Sequence, residues 1–435
     1  MTVAGCLILN ANRFGFFVSV ILFRGLLDFS YANYVSELFS YDGFFYEFNG
    51  LQYILSWMLF LISLTMVSDR VLKVSHYFFA TAILSVIAPL TSLYGLDSER
   101  PLLPVVVSII ALFWVYFLSR LAVISFKGLP PVRHGRQLAV SLSICFVLFL
   151  VVWFYASGAK PNLDIAEVYD FRQVNADLAA QGVFAYTNSW TYQIFSVYLM
   201  CMALYARRFM VFLLLLGVQV YFFAFAAHKS ILFLPFLVLS VWFYFRRSDS
   251  LLPLPLVFIG LLLIAMIANT FSDDVWLISM IARRVFFVPA DLAFAYFDFF
   301  SQHAHAYWSN SILSAFSTYP YGDMGIPYVI GDFLGKPEMG ANNGFVSSGY
   351  AHAGVFGVFV YATILGVLLR LLNDISSGFM PVWLAVAISI VPLRSLLISS
   401  DLFTVMLTHG FAVAVFLMYL SRKRAHMPLG GGALS

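Results

Sequence analysis

The chain has 435 residues, 62% of them hydrophobic and 10% charged, with a mean hydropathy of +0.91 and a formal net charge of +3. No soluble domain keeps that much apolar surface in water, so the composition excludes a soluble enzyme or binding module and implies an all-α polytopic membrane protein. The small net charge gives no sign of a nucleic-acid partner.

Apolar runs near the roughly 20 residues needed to cross a bilayer core recur along the chain. Taken in order they give about twelve spans, at 12–31, 51–68, 74–93, 102–119, 137–156, 189–206, 209–227, 231–245, 252–270, 347–369, 379–398 and 402–420. Residues 1–435 are thus expected to form one integral membrane domain. The first span follows Arg13 and shows no small-residue cleavage site, which reads as a retained anchor. Cys6, Cys145 and Cys201 lie within spans or at their inner ends, so no external disulfide framework or thiolate metal site is expected.

Lys and Arg collect at alternate span ends: Arg70 and Lys73, Arg120 to Arg136, Arg207 and Arg208, Arg246 and Arg247, Arg370, and Arg422 to Arg424. Short loops rich in these residues stay in the cytoplasm, so both termini are expected inside. Almost all acids then face outward, and only Asp69, Asp249 and Asp374 remain with the basic turns. Those turns are too short and too poor in carboxylates to hold a metal-bound nucleotide sugar. An activated substrate would therefore arrive through the membrane, linked to lipid. No redox or nucleotide cofactor is implied.

Two outward segments, 157–188 and 271–346, are longer than connections need to be, which makes them the place to look for function. The second contains "ARRVFFVPADLAFAYFDFFSQHAHAYWSNS". Pro289 suits a first helical turn, and the pattern predicts an amphipathic helix running to about Gln302. On it Asp291 and Asp298 share a stripe that passes near Arg284 and His305, while Phe294, Tyr296, Phe297, Phe299 and Phe300 cover the other faces. His303 and His305 point the same way only on an extended chain, and without Cys or a His-x-x-x-His partner they make no metal site.

Outward cations disfavoured by the positive-inside bias need compensation. A guanidinium fork matches phosphate oxygens and Lys supplies a point charge, so Arg172, Lys229, Arg283 and Arg284 are the candidates for holding a lipid pyrophosphate; snorkelling to headgroups is the plain alternative. Arg100 and Lys160 lack a neighbouring cation or a polar helix stripe and are expected to tolerate alanine. Asp298 or His305 could serve as a base, and Tyr307 and Trp308 could stack on sugar faces or simply belong to the interfacial aromatic belt.

The order "ARRVFFVP", an aromatic helix bearing an acid, "FFSQHAHAYWSNS", then "MGANNGFVSSGYAHAGVFGVFVY" resembles the Wzy-type O-antigen polymerases of Gram-negative bacteria, best over residues 280–360. "VYDFRQVNADLAAQG" and "AAHKSILFLP" fit that family in position. The resemblance implies a GT-C-like membrane glycosyltransferase of the bacterial inner membrane with two large periplasmic loops. It would move the growing glycan from its undecaprenyl-pyrophosphate carrier onto a new lipid-linked repeat unit at the periplasmic face. The implied partners are undecaprenyl-pyrophosphate-linked oligosaccharide, membrane lipid, a Wzz-type chain-length regulator, a flippase and a ligase. Two other readings stay open: a flippase for the same lipids, which would want repeated halves and intramembrane cations, and an O-antigen ligase.

The charge asymmetry makes a topological prediction. A reporter active only outside the cytoplasm should work when fused near Asn175 or Gly335 and fail near Arg133 or after Arg424. Activity of the Arg133 fusion would overturn the assignment of faces.

Overall fold

The computed structural model describes residues 3–157, 161–162, 184–226, 229–272, 274–311, 314 and 316–422, and of residues 3–11, 184–185 and 229 only the backbone. The described chain is all helical. Seven helices are long and apolar enough to cross a membrane, and four shorter apolar ones accompany them. In lipid every backbone N–H and C=O must be satisfied internally, which a helix does within its own segment.

In chain order, α1 (Val3–Ser30) continues through a π turn to Leu38, and α2 is Gly50–Ser63. Then come α3 (Val74–Leu96), α4 (Leu103–Arg120), α5 (Gly135–Ala156) and α6 (184–205). They are followed by α7 (Phe209–Ala226), α8 (Lys229–Phe245) and α9 (Pro253–Ser272). A π-helical stretch, Ser279–Phe287, leads into α10 (Val288–Gln302), and α11 is Ile326–Phe333. The last elements are α12 (Phe345–Ser376), α13 (Val382–Ile398), α14 (Leu402–Leu407) and α15 (Phe411–Leu420).

α3 is the axis of the bundle: 94% of its apolar window is buried, against 22% in α9 and 28% in α5, which present their sides outward. Leu51, Met210 and Leu214 are among the large apolar side chains left exposed on span-like helices, as a lipid-facing surface requires. α4 packs along α12, where Gly366 brings the backbones together: a Cβ there would lie 2.7 Å from Leu118. One buried polar network ties α1, α2 and α3. Arg24, fully buried, pairs with Asp28 and donates to Thr91 Oγ1 at 3.2 Å and Ser56 Oγ at 3.3 Å, while Asp28 accepts from Tyr53 at 3.0 Å and Ser92 at 2.5 Å. Arg24 is thus committed to its neighbours inside the bundle.

At the basic end, arginines hold backbone. Arg422 donates to Leu129 O at 2.7 Å and Lys127 O at 3.2 Å, and Arg370 to Ile124 O at 2.8 Å, which fixes the connection after α4. The longest described connection lies at the opposite end. The segment 271–346 folds there into the π-helical stretch, α10 and α11, and α10 is wedged among α3, α4 and α12 with Tyr296, Phe297 and Phe300 buried.

Two of the expected spans are built differently from a simple crossing. α12 breaks at Ala353 (φ −155°, ψ 37°) and Gly354 (φ 58°, ψ −146°), a backbone region open essentially to glycine at the second position. Gly349 then meets Gly357 and Val358 so closely that a Cβ on Gly349 would lie 2.9 Å from Val358 Cα. Residues eight apart on a straight helix would be separated by about 12 Å of rise. The short piece 345–352 is therefore folded against the long piece 355–376, and only the long piece has the length of a span. The run 402–420 is likewise divided, into α14 and α15, by Gly410 at φ 72°.

Candidate functional site

The break in α12 frees two carbonyls, and the segment after α10 takes them. Ala306 N–H donates to Ala351 O at 3.0 Å and Tyr307 N–H to His352 O at 2.9 Å. To do so the chain turns through Tyr307 (φ 46°) and Trp308 (φ 56°), two successive non-glycine residues in left-handed conformation. Such strain persists only where the surroundings hold it, and it gathers at functional sites.

Behind the break, side chains form one connected set. Trp308 N–H donates to His352 Nδ1 at 3.1 Å, so the network assigns the imidazole proton to Nε2, which faces Asp401 Oδ2 at 3.5 Å. Tyr361 donates to the same oxygen at 2.6 Å and accepts from Trp308 Nε1 at 2.8 Å. The other carboxylate oxygen caps α14, accepting from the N–H groups of Phe403 at 2.8 Å and Thr404 at 3.2 Å. Burial would raise the Asp401 carboxyl, but hydrogen bonds from His352 and Tyr361 outweigh it and hold the group below its ordinary value.

This set lies on a cavity of about 470 Å³, within the range of ligand pockets, whose polar lining includes Tyr186, Tyr296, Asn342, His352, Asp401 and Thr408. A second cavity, of about 580 Å³, lies across α10. Its lining is acidic, with Glu47, Asp97, Glu99, Asp291 and Asp298 around Arg100. Both open at the end of the bundle opposite the basic turns.

The residues singled out from the sequence fall in separate places. Arg172 lies outside the described residues, and Lys229 is described only as the first residue of α8. Arg283 pairs with Asp42, bonds Ser279 Oγ at 3.1 Å and stacks on Phe39, while Lys336 takes the other Asp42 oxygen at 2.6 Å. Arg284 is exposed beside Met280. Asp298 and Asp291 both line the larger cavity, as one helix stripe should, but the stripe stops there. α10 ends at Gln302, and His305 instead lies near Phe300 and edge-on to Tyr350, behind Gly354. His303 stacks on Phe299 and bonds its carbonyl, so the two histidines share no partner. Tyr307 is 53% exposed, whereas Trp308 has one ring face on His352 and its N–H on Tyr361.

Sequence reasoning passed over Asp401, His352 and Tyr361. For Asp401 the available signal was "SSD" ahead of an apolar run, which reads as a helix cap; His352 and Tyr361 lie within "MGANNGFVSSGYAHAGVFGVFVY", where nothing marked them individually. Compared with protein-family models, with curated proteins and with solved structures, the chain finds no match, so no relative assigns these residues a role.

Arg100, expected to stand apart from any polar helix stripe, is engaged with one. It reaches Asp97 at 2.7 Å, Asp291 at 2.6 Å and Gly43 O at 2.9 Å, with its guanidinium over Phe294. Burial works against its charge, yet Asp291 and Asp97 hold its pKa above the ordinary value. Alanine there would strand two carboxylates in a poorly solvated wall. We expect Arg100→Ala to lose about 3 kcal/mol of stability, read as a fall in thermal midpoint of the detergent-solubilised protein; an unchanged midpoint would contradict this arrangement.

Proposed function

We propose that the protein is an O-antigen polymerase, a lipid-linked-sugar-dependent glycosyltransferase working at the periplasmic face of the bacterial inner membrane. In this reading the chain has twelve spans in a GT-C-like arrangement with both termini in the cytoplasm. The observation that carries it is the polar cavity between α10 and the break in α12, at the end opposite the basic turns. Amide and hydroxyl groups with a carboxylate suit a sugar. The resemblance over residues 280–360 covers α10, the strained turn and the break in α12, which form one side of that cavity.

The reaction is the attack of a sugar hydroxyl on the anomeric carbon of the donor, with the carrier pyrophosphate as leaving group. Preorganised cations must meet the charge that develops on it. Arg283 and Lys336 share one acid, Asp42, leaving an excess of positive charge with exposed Arg284 nearby in the chain. Arg172 and Lys229 remain further candidates for this pyrophosphate contact, and Tyr307 for stacking on a sugar face.

Deleting the gene and resolving the surface polysaccharide on a gel tests the reading. A polymerase predicts loss of the ladder with a single capped repeat retained. Loss of every repeat would replace this reading with a flippase or a ligase.

A further inference from the structure

We propose that Asp401 takes the proton of the acceptor sugar hydroxyl, in a site whose other members, His352, Tyr361 and Trp308, position its carboxylate in the smaller cavity. This inference rests on the glycosyl-transfer reading and adds the residue, the cavity and the substrate end that it serves. Among the described residues lining that cavity Asp401 is the carboxylate, and there is no Lys or Arg. The lining of Asn310, Ser311, Asn342, Tyr296 and Thr408 offers neutral hydrogen-bonding groups. Such a lining fits the hydroxyls of an uncharged sugar. The cavity therefore takes the non-reducing end of the acceptor repeat unit.

The geometry selects Asp401 over its neighbours. Its side chain is 25% exposed, whereas His352 is 4% exposed. His352 Nδ1 is occupied by Trp308 N–H, so its other nitrogen donates and the ring cannot take a proton from substrate without losing its place. Asp401 offers about four lone-pair sites. Three are filled at 3.2 Å or less by Phe403, Thr404 and Tyr361. The fourth contact, to His352, is long at 3.5 Å, and it is this position that an incoming hydroxyl can share. Asp298, the acid expected from the sequence, lies across α10 in the other cavity.

The step balances as follows. The acceptor hydroxyl oxygen forms a bond to the donor anomeric carbon. The bond from that carbon to the carrier pyrophosphate breaks, and its electron pair leaves on the pyrophosphate. The hydroxyl proton passes to Asp401 Oδ2 and is later returned to water. A firmly held carboxylate is a modest base, but the hydroxyl becomes strongly acidic as its oxygen bonds to carbon, so a late transfer needs no stronger one.

The test uses the full-length protein in proteoliposomes with synthetic undecaprenyl-pyrophosphate-linked repeat unit, following kcat and acceptor KM. Asn and Ser both cap helices, so Asp401→Asn and Asp401→Ser keep the start of α14 while removing the base. Both should lose about 100-fold or more in kcat with little change in acceptor KM. Tyr361→Phe, which leaves the carboxylate in place, should lose less. Wild-type kcat in either Asp401 variant would overturn the inference and leave the polymerase reading standing. Failure of the wild-type protein itself to lengthen the glycan would overturn that reading.

Discussion

The end of this bundle opposite the basic turns is organised around two backbone carbonyls, those of Ala351 and His352, released where α12 breaks. A helix in lipid cannot be interrupted unless something answers its freed hydrogen-bonding groups. Here Ala306 and Tyr307 answer, at the cost of two left-handed residues, and in answering they place Trp308 against His352 and Tyr361. The same break folds Phe345–His352 back on the long helix, which opens the space that becomes the polar cavity. Gly349, Gly354 and Gly357 make the fold-back possible, because a Cβ at the first or last would collide with backbone and the second needs a positive φ.

Charge is used in two distinct ways. Arg24 with Asp28 and Arg100 with Asp97 and Asp291 are satisfied inside the protein and join elements distant in sequence. Arg370 and Arg422 hold carbonyls of one turn at the basic end. Charge on a membrane protein's arginines thus says little about ligands until their partners are known. Arg284 alone among the described sequence-derived pyrophosphate candidates presents an exposed side chain, while Arg283 and Lys336 share Asp42.

Much of the architecture was legible in the sequence because lipid imposes a simple rule on composition. Seven of the twelve expected spans fall on helices long and apolar enough to cross a membrane and four more meet shorter apolar helices, and α10 ends at Gln302 as Pro289 and its aromatic spacing suggested. The breaks were not legible, since "YAHAGVFG" and "LTHGFA" stay apolar across Gly354 and Gly410, and hydropathy averages over both. Nor was the Asp401 set. An acid before an apolar run looks like a cap, which Asp401 is; that it also meets His352 and Tyr361 depends on the fold-back of α12. Arg100 was misjudged for a related reason: Asp291, far along the chain, supplies half of its compensation.

If the account is right, the acceptor sugar sits in the smaller cavity beside Asp401, within bonding reach of the donor's anomeric carbon. The most direct measurement is an electron cryomicroscopy structure of the protein in lipid nanodiscs with a lipid-linked repeat unit whose anomeric oxygen is replaced by a methylene group. The account predicts density for a terminal sugar in the smaller cavity, with a hydroxyl within hydrogen-bond reach of Asp401 Oδ2. Sugar density elsewhere, with that cavity closed or filled by lipid tail, would contradict it.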